Sequence, residues 1–188
     1  MAESGVEHVL AREPGGTPVG EAIRAIVLDR VDLRMPPESE LLLILAARAA
    51  FVREVVRPAL DAGKVVVADR FSLSTLAYQG FGRGLDLDRI RAGIEIATDG
   101  LRPDLYVVLD LPVEEGAERQ RRQRAAPDRI EREGDGFRRS VREGYLALAG
   151  VEPAVEVVSA RGTPEDVHAR VRELLQARFP ETFRPGRV

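Results

Sequence analysis

The chain contains no cysteine and no tryptophan. Disulfides, thiolate catalysis and cysteine-based metal sites are excluded. Its only histidines, His8 and His168, lie too far apart in sequence to suggest a pair, and both read as surface residues. Lysine is almost missing as well: of 28 Lys and Arg residues, only Lys64 is lysine. It precedes a predicted strand and not a helix start, and no Gly-x-x-x-x-Gly-Lys-Ser/Thr run occurs, so a lysine-bearing phosphate loop is not present in these residues. Neither sign of charge dominates. A formal net charge of −3 offers no electrostatic case for nucleic acid or for an anionic membrane. No apolar run approaches the roughly 18 residues of a membrane span, and the first residues have no signal-peptide core. A soluble cytoplasmic protein is the expectation.

What remains is ordinary for a globular chain. Its 188 residues, 44% apolar and 31% charged, suit one domain over 1–188 with a sizeable core. Strands are expected at Val6–Ala11, Val65–Asp69, Leu105–Asp110 and Val155–Val158. Val65-Val66-Val67 has no polar alternation, which predicts a strand buried on both faces, as in a parallel sheet. Helices fill the intervals. Thr17 caps a short helix opened by Pro18 and reaching about Leu28. A long helix runs from Pro37 to about Asp61, disturbed near its end by Pro58 and stopped at Gly63. Ser72–Gln79 begins another, broken by Gly80-Phe81-Gly82-Arg83-Gly84. Asp86 caps the next, to about Ala97. Pro112 opens a helix carrying the arginine run, Ala125–Gly136 reads as polar and mobile, and Phe137–Ala149 and a Thr163-capped segment complete the set. Alternating strands and helices predict an α/β fold: a doubly wound parallel sheet with helices on both faces.

The valine strand ends at Asp69-Arg70. In such folds the carboxyl ends of the strands face the ligand crevice. There a guanidinium can fork two phosphate oxygens, and a carboxylate can hold Mg²⁺ through water. A plain strand-end ion pair is the competing reading. Gly80-x-Gly82-x-Gly84 is not a dinucleotide loop, because it follows a helical segment and not a strand. The run Arg119-Gln120-Arg121-Arg122-Gln123-Arg124 is either a solvated helix face or a lid, over about 119–136, that places arginines on a transferring phosphoryl group.

Taken in order, Arg12-Glu13-Pro14-Gly15-Gly16-Thr17, Glu40-Leu41-Leu42 with Ala46-Ala47-Arg48, Arg57-Pro58-Ala59-Leu60 with Gly63, Asp69-Arg70, Ser74 to Gln79, Pro103-Asp104-Leu105 through Asp110, and Asp128-Arg129-Ile130-Glu131 resemble the thymidylate kinase family nearly end to end. The resemblance implies a P-loop nucleoside monophosphate kinase-like fold and transfer of the ATP γ-phosphoryl group to dTMP, giving dTDP, with Mg²⁺ and in a homodimer. It implies that Arg70 grips the thymidylate phosphate, with Asp69 at the metal–phosphate region. Arg12 and Glu13 help close the monophosphate site, Arg48 donates to thymine, Ser74, Thr75 and Gln79 lie at the base edge or its surroundings, and Tyr78 blocks the ribose 2′ position. The catalytic lid arginine is one of Arg121, Arg122 and Arg124.

Two departures stand out. Ile44 occupies the place of the phenylalanine that usually stacks on thymine. The family's first strand and P-loop have no counterpart, and Met1–Gly5 resembles the tail of the following helix. The expectation is a shortened form of a longer kinase, itself inactive. The alternatives are a non-catalytic nucleotide-binding or dimerising relative, and a kinase for another deoxynucleoside monophosphate.

Overall fold

The computed structural model describes residues 5–123 and 128–183, and for 122 and 123 the backbone alone. β1 (His8–Arg12) and β2 (Val65–Asp69) pair in parallel, with His8 beside Val65 and Arg12 beside Asp69. The Glu13 amide extends the ladder by donating to the Asp69 carbonyl at 2.9 Å. β3 (Tyr106–Asp110) and β4 (Val155–Ser159) form a second parallel pair, Tyr106 beside Val155 and Asp110 beside Ser159. Among the described residues the two pairs share no hydrogen-bond ladder.

Helices join them. α1 (Pro18–Arg24) starts at the Thr17 cap, whose hydroxyl accepts from the Gly20 amide. It widens into a π-helical turn at Ala25–Asp29. α2 (Pro37–Phe51) also widens, at Val52–Val56, before α3 (Arg57–Asp61). Pro58 accounts for that distortion: it has no N–H, and its ring crowds the carbonyl one turn back. α4 (Ser72–Thr75) continues as a π-helical stretch, Leu76–Gly82. The expected break at Gly80 therefore comes later. Gly80 and Gly82 are helical, and their missing side chains make room for Leu87 and Phe137. α5 (Leu87–Thr98) follows the Asp86 cap, and α6 (Val113–Gln123) and α7 (Asp135–Ala149) flank the second strand pair. α8 (Pro164–Arg178) begins in a Thr163–Asp166 capping box.

Phe51, Val52, Val56 and Phe71 form one core cluster, against which Ala11, Val66 and Ala68 of the first pair and Tyr106 of the second pack together. Tyr106 also shares a hydrogen bond with the Ser72 hydroxyl. Full burial of a large apolar side chain such as Phe51 contributes about 1.5–3 kcal/mol, so this shared cluster ties the pairs to each other without a ladder. The strands are not buried on both faces, contrary to the expectation from the valine run. Neighbouring Leu10 and Val67 are 70% and 36% exposed, and Leu109 is 53% exposed. Helices cover one face of the first pair, and Leu10 and Val67 stay partly open among the described residues. No described helix is long and apolar enough to cross a membrane.

Candidate functional site

β1 and β2 end side by side, which brings Arg12 and Asp69 into register and sets Glu13 and Arg70 at the same rim. Arg70 has φ of 71°, a left-handed conformation that a residue with a Cβ adopts at a cost of about 1–3 kcal/mol. The turn swings its guanidinium over the Tyr78 ring, 5.0 Å from the centroid. A strained arginine at a strand's carboxyl end is a common mark of a functional position.

Behind this rim lies a cavity of about 580 Å³. Every sequence-predicted residue outside the arginine run lines it: Arg12, Glu13, Ile44, Arg48, Asp69, Arg70, Ser74, Thr75, Tyr78 and Gln79. They come from two strand ends, α2 and the α4 region, so their meeting is a product of tertiary structure.

The deep end is polar and buried. Arg48 donates from Nε and Nη2 to Glu13 Oε2, at 2.9 and 2.7 Å, and from Nη1 to the Thr75 hydroxyl at 2.8 Å. Both ion-pair partners are almost wholly buried. Burial pushes the Glu13 pKa up, and the Arg48 charge and its hydrogen bonds only partly offset this. Ile44 supplies an apolar wall from a cluster with Ile23, Val27, Leu28 and Ala47.

Tyr78 is held edge-on by Phe137 and Tyr145, ring centroids 6.0 and 6.3 Å away. The Tyr145 hydroxyl donates to Ser74 Oγ at 2.7 Å. Arg12 is more open and reaches Glu21 at 3.4 Å. Across the cavity, Arg142 forks Asp110 at the end of β3, with bonds of 2.7 and 2.9 Å.

The lid arginines fare differently. Arg121 is exposed on α6 and does not line the cavity; its neighbour Gln120 does, about 100° round the helix. The Arg122 side chain and Arg124 lie outside the described residues. The segment after the run, expected to be mobile, is anchored over 128–133. Arg129 donates from its amide to Leu28 O, from Nε to Val27 O and from Nη2 to Glu40.

Sequence reasoning missed that anchor. Glu40, 1% exposed, accepts from Gln79, Arg83 and Arg129. Burial drives its pKa up, but these hydrogen bonds outweigh burial and leave it below the usual glutamate value. An acid in the first turn of a helix normally reads as a surface partner of the dipole, so the sequence carries no sign of its burial. Tyr145, Arg138 and Arg142 were missed too, on a helix whose amphipathic pattern marks only which face turns inward.

The arrangement suits a ligand with a phosphate at the Arg70 rim and a flat polar group at the Arg48–Gln79 end. Among the described residues no group of three or more acidic or histidine side chains gathers to hold a metal. Mg²⁺ needs less, being commonly held by one or two carboxylates, water and substrate phosphates. Asp69, exposed beside Arg70, fits that donor set.

The family model described as "Thymidylate kinase" matches residues 1–171. A thymidylate kinase of Desulforudis audaxviator is 50% identical over 175 residues, covering 90% of this chain and 78% of the relative. One from a Synechococcus strain is 46% identical over 181 residues, covering 96% and 85%. One from Pseudomonas fluorescens is 45% identical over 187 residues, covering 100% and 87%.

Proposed function

We propose, for a chain that belongs to the thymidylate kinase family, that the cavity between the strand ends is its thymidylate site and that the reaction is in-line transfer of the ATP γ-phosphoryl group to dTMP. The observation that carries this reading is the pairing of a strained, solvent-facing Arg70 with a desolvated Arg48–Thr75–Gln79 end in one cavity. Arg70 forks the monophosphate. Asp69 would hold Mg²⁺ through water beside it, and the ion would supply charge neutralisation on the transferring phosphoryl group. Arg48 and Gln79 meet the thymine edge, and Ile44 packs on the ring face. Tyr78, wedged by its aromatic neighbours, stands against the 2′ carbon of the sugar. Arg12 and Glu13 close the rim. One of Arg121, Arg122 and Arg124 completes the transition-state charge from the lid.

The protein works in the cytoplasm as a homodimer. Leu42 and Leu60, 65% and 43% exposed along α2 and α3, support packing of this helical arm against a second copy.

The first test is calorimetric binding of dTMP by the purified 188-residue chain and by Arg70→Ala, followed by assay of dTDP formation with MgATP. Loss of the charged fork is expected to weaken dTMP binding by about 10–100-fold. A folded chain that ignores dTMP, or an R70A chain that binds it unchanged, overturns the site assignment. Turnover places both nucleotide sites within these residues. Binding without turnover leaves the monophosphate site standing and faults only the ATP half.

A further inference from the structure

Glu40 sits in the first turn of α2, and its carboxylate takes hydrogen bonds from separate parts of the chain. Gln79 Nε2 donates to Oε1 at 2.7 Å, Arg83 reaches both oxygens at 3.2 and 3.1 Å, and Arg129 Nη2 donates to Oε2. Gln79, like Glu40, is 1% exposed, and it lines the cavity. The chemistry of this contact is one-sided. A carboxylate only accepts, whereas an amide has an accepting end and a donating end. Gln79 must therefore turn its nitrogen to Glu40. Its carbonyl oxygen and second N–H are then left in one fixed order. The arginines keep the carboxylate ionised and immobile. Arg83 is held in turn by Glu133 and by the face of Phe137, and Arg129 by the Val27 carbonyl.

We propose that Glu40 is a specificity-determining positioning residue: it locks the Gln79 amide so that the cavity accepts a ring N–H beside a carbonyl oxygen, the edge of thymine, and rejects the reversed edge of cytosine. The inference rests on the thymidylate reading of the cavity. Thymine offers a donor at N3 next to acceptor oxygens. Cytosine offers an acceptor at N3 next to a donor amino group. An amide free to turn over serves either edge. An amide held by a carboxylate serves one, and the wrong base leaves buried polar groups unpaired.

The test compares dissociation constants of dTMP and dCMP, by calorimetry on the full 188-residue chain, for wild type, Glu40→Gln and Gln79→Met. In E40Q the partner amide can accept or donate, so Gln79 is released. The dTMP preference over dCMP is expected to fall about tenfold or more. An E40Q chain whose preference stays within about twofold of wild type overturns the proposal, even if both affinities drop together, since equal loss is what a merely structural glutamate produces. Where E40Q does not fold, Q79M decides: it leaves the Glu40–Arg83–Arg129 cluster whole and must lose the same preference, and a retained preference overturns the proposal. A wild-type chain that binds dTMP no better than dCMP overturns both this inference and the thymidylate reading. A wild-type preference that survives E40Q overturns this inference alone.

Discussion

Arg48 directs both Nε and Nη2 at one oxygen of Glu13, and the other oxygen, Oε1, is buried without a partner among the described residues. The pair is thus desolvated on both sides and only half satisfied. Removing one member strands a buried charge, which typically costs about 3–5 kcal/mol, whereas replacing both by apolar groups of similar size is often neutral. Arg48→Met is expected to lose stability of that order in urea unfolding, and Glu13→Leu with Arg48→Met to recover most of it. Equal stability of the single variant and wild type would show that the pair does not hold the cavity wall. On the proposed reading the double variant, which removes the Arg48 donors from the cavity, is expected to fold yet bind dTMP poorly.

The two buried glutamates respond to pH in opposite directions. Burial raises the Glu13 pKa above its ordinary value near 4.5, so the folded state holds that proton more tightly than the unfolded state does. Its stabilising contribution is complete below the unfolded value and fades as pH rises through the folded one. Glu40 is the reverse. Burial raises its pKa, its hydrogen bonds lower it by more, and the net depression below 4.5 favours folding above that value. That stability is lost as pH falls through the folded pKa. The stability gap between wild type and E40Q is therefore expected to be largest near neutral pH and to shrink as the pH drops below about 4.5. Urea midpoints across that range measure it, and a gap that widens on acidification would contradict the assignment.

The strands and caps were legible in the sequence because their signals are local. Val65–Asp69 announces itself by β-branched side chains, and Thr17, Asp86 and Thr163 by a cap placed before helical spacing. Most of the cavity was legible through motif resemblance, from Arg12 to Gln79. The π-helical widening at Leu76–Gly82 was not, because a glycine reads as a breaker unless the ring that packs against it is known. Nor was the Glu40–Arg129 bond, which joins residues 89 apart. No periodicity reports a pairing that only the packing of α2 against the 128–133 turn creates. That Arg121 does not line the cavity was not legible for a related reason: the run marks a charged helix, while the rotation of α6 decides which of its residues turn inward.

Gly144 on α7 marks a close helix contact near the site. A Cβ there would stand 2.6 and 2.7 Å from Cγ and Cβ of Phe81, the root of that side chain, which cannot swing away as a ring edge can. Helix propensity alone predicts that Gly→Ala stabilises by about 0.5–1 kcal/mol. Overpacking costs about 1–3 kcal/mol and is expected to win. Gly144→Ala should therefore lower the melting temperature, and a rise would mean that α7 and the Leu76–Gly82 stretch slide apart freely.

Tyr78 gives the sharpest separation between a residue that fills space and one that reads the sugar. Its ring is fixed by Phe137 and Tyr145 on its edges and by the Arg70 guanidinium over its face. On the proposed reading a ring so held cannot retreat from a 2′ hydroxyl, and the exclusion is steric with no part for the phenol oxygen. Tyr78→Phe should therefore retain the preference for dTMP over its ribonucleotide counterpart, whereas Tyr78→Ala should lose it by about tenfold or more, the worth of one well-placed steric or polar contact. Binding of both monophosphates to the two variants measures the difference. If Y78A keeps the preference, the discrimination arises elsewhere in the cavity, and the ring serves only to hold Arg70 in its strained conformation.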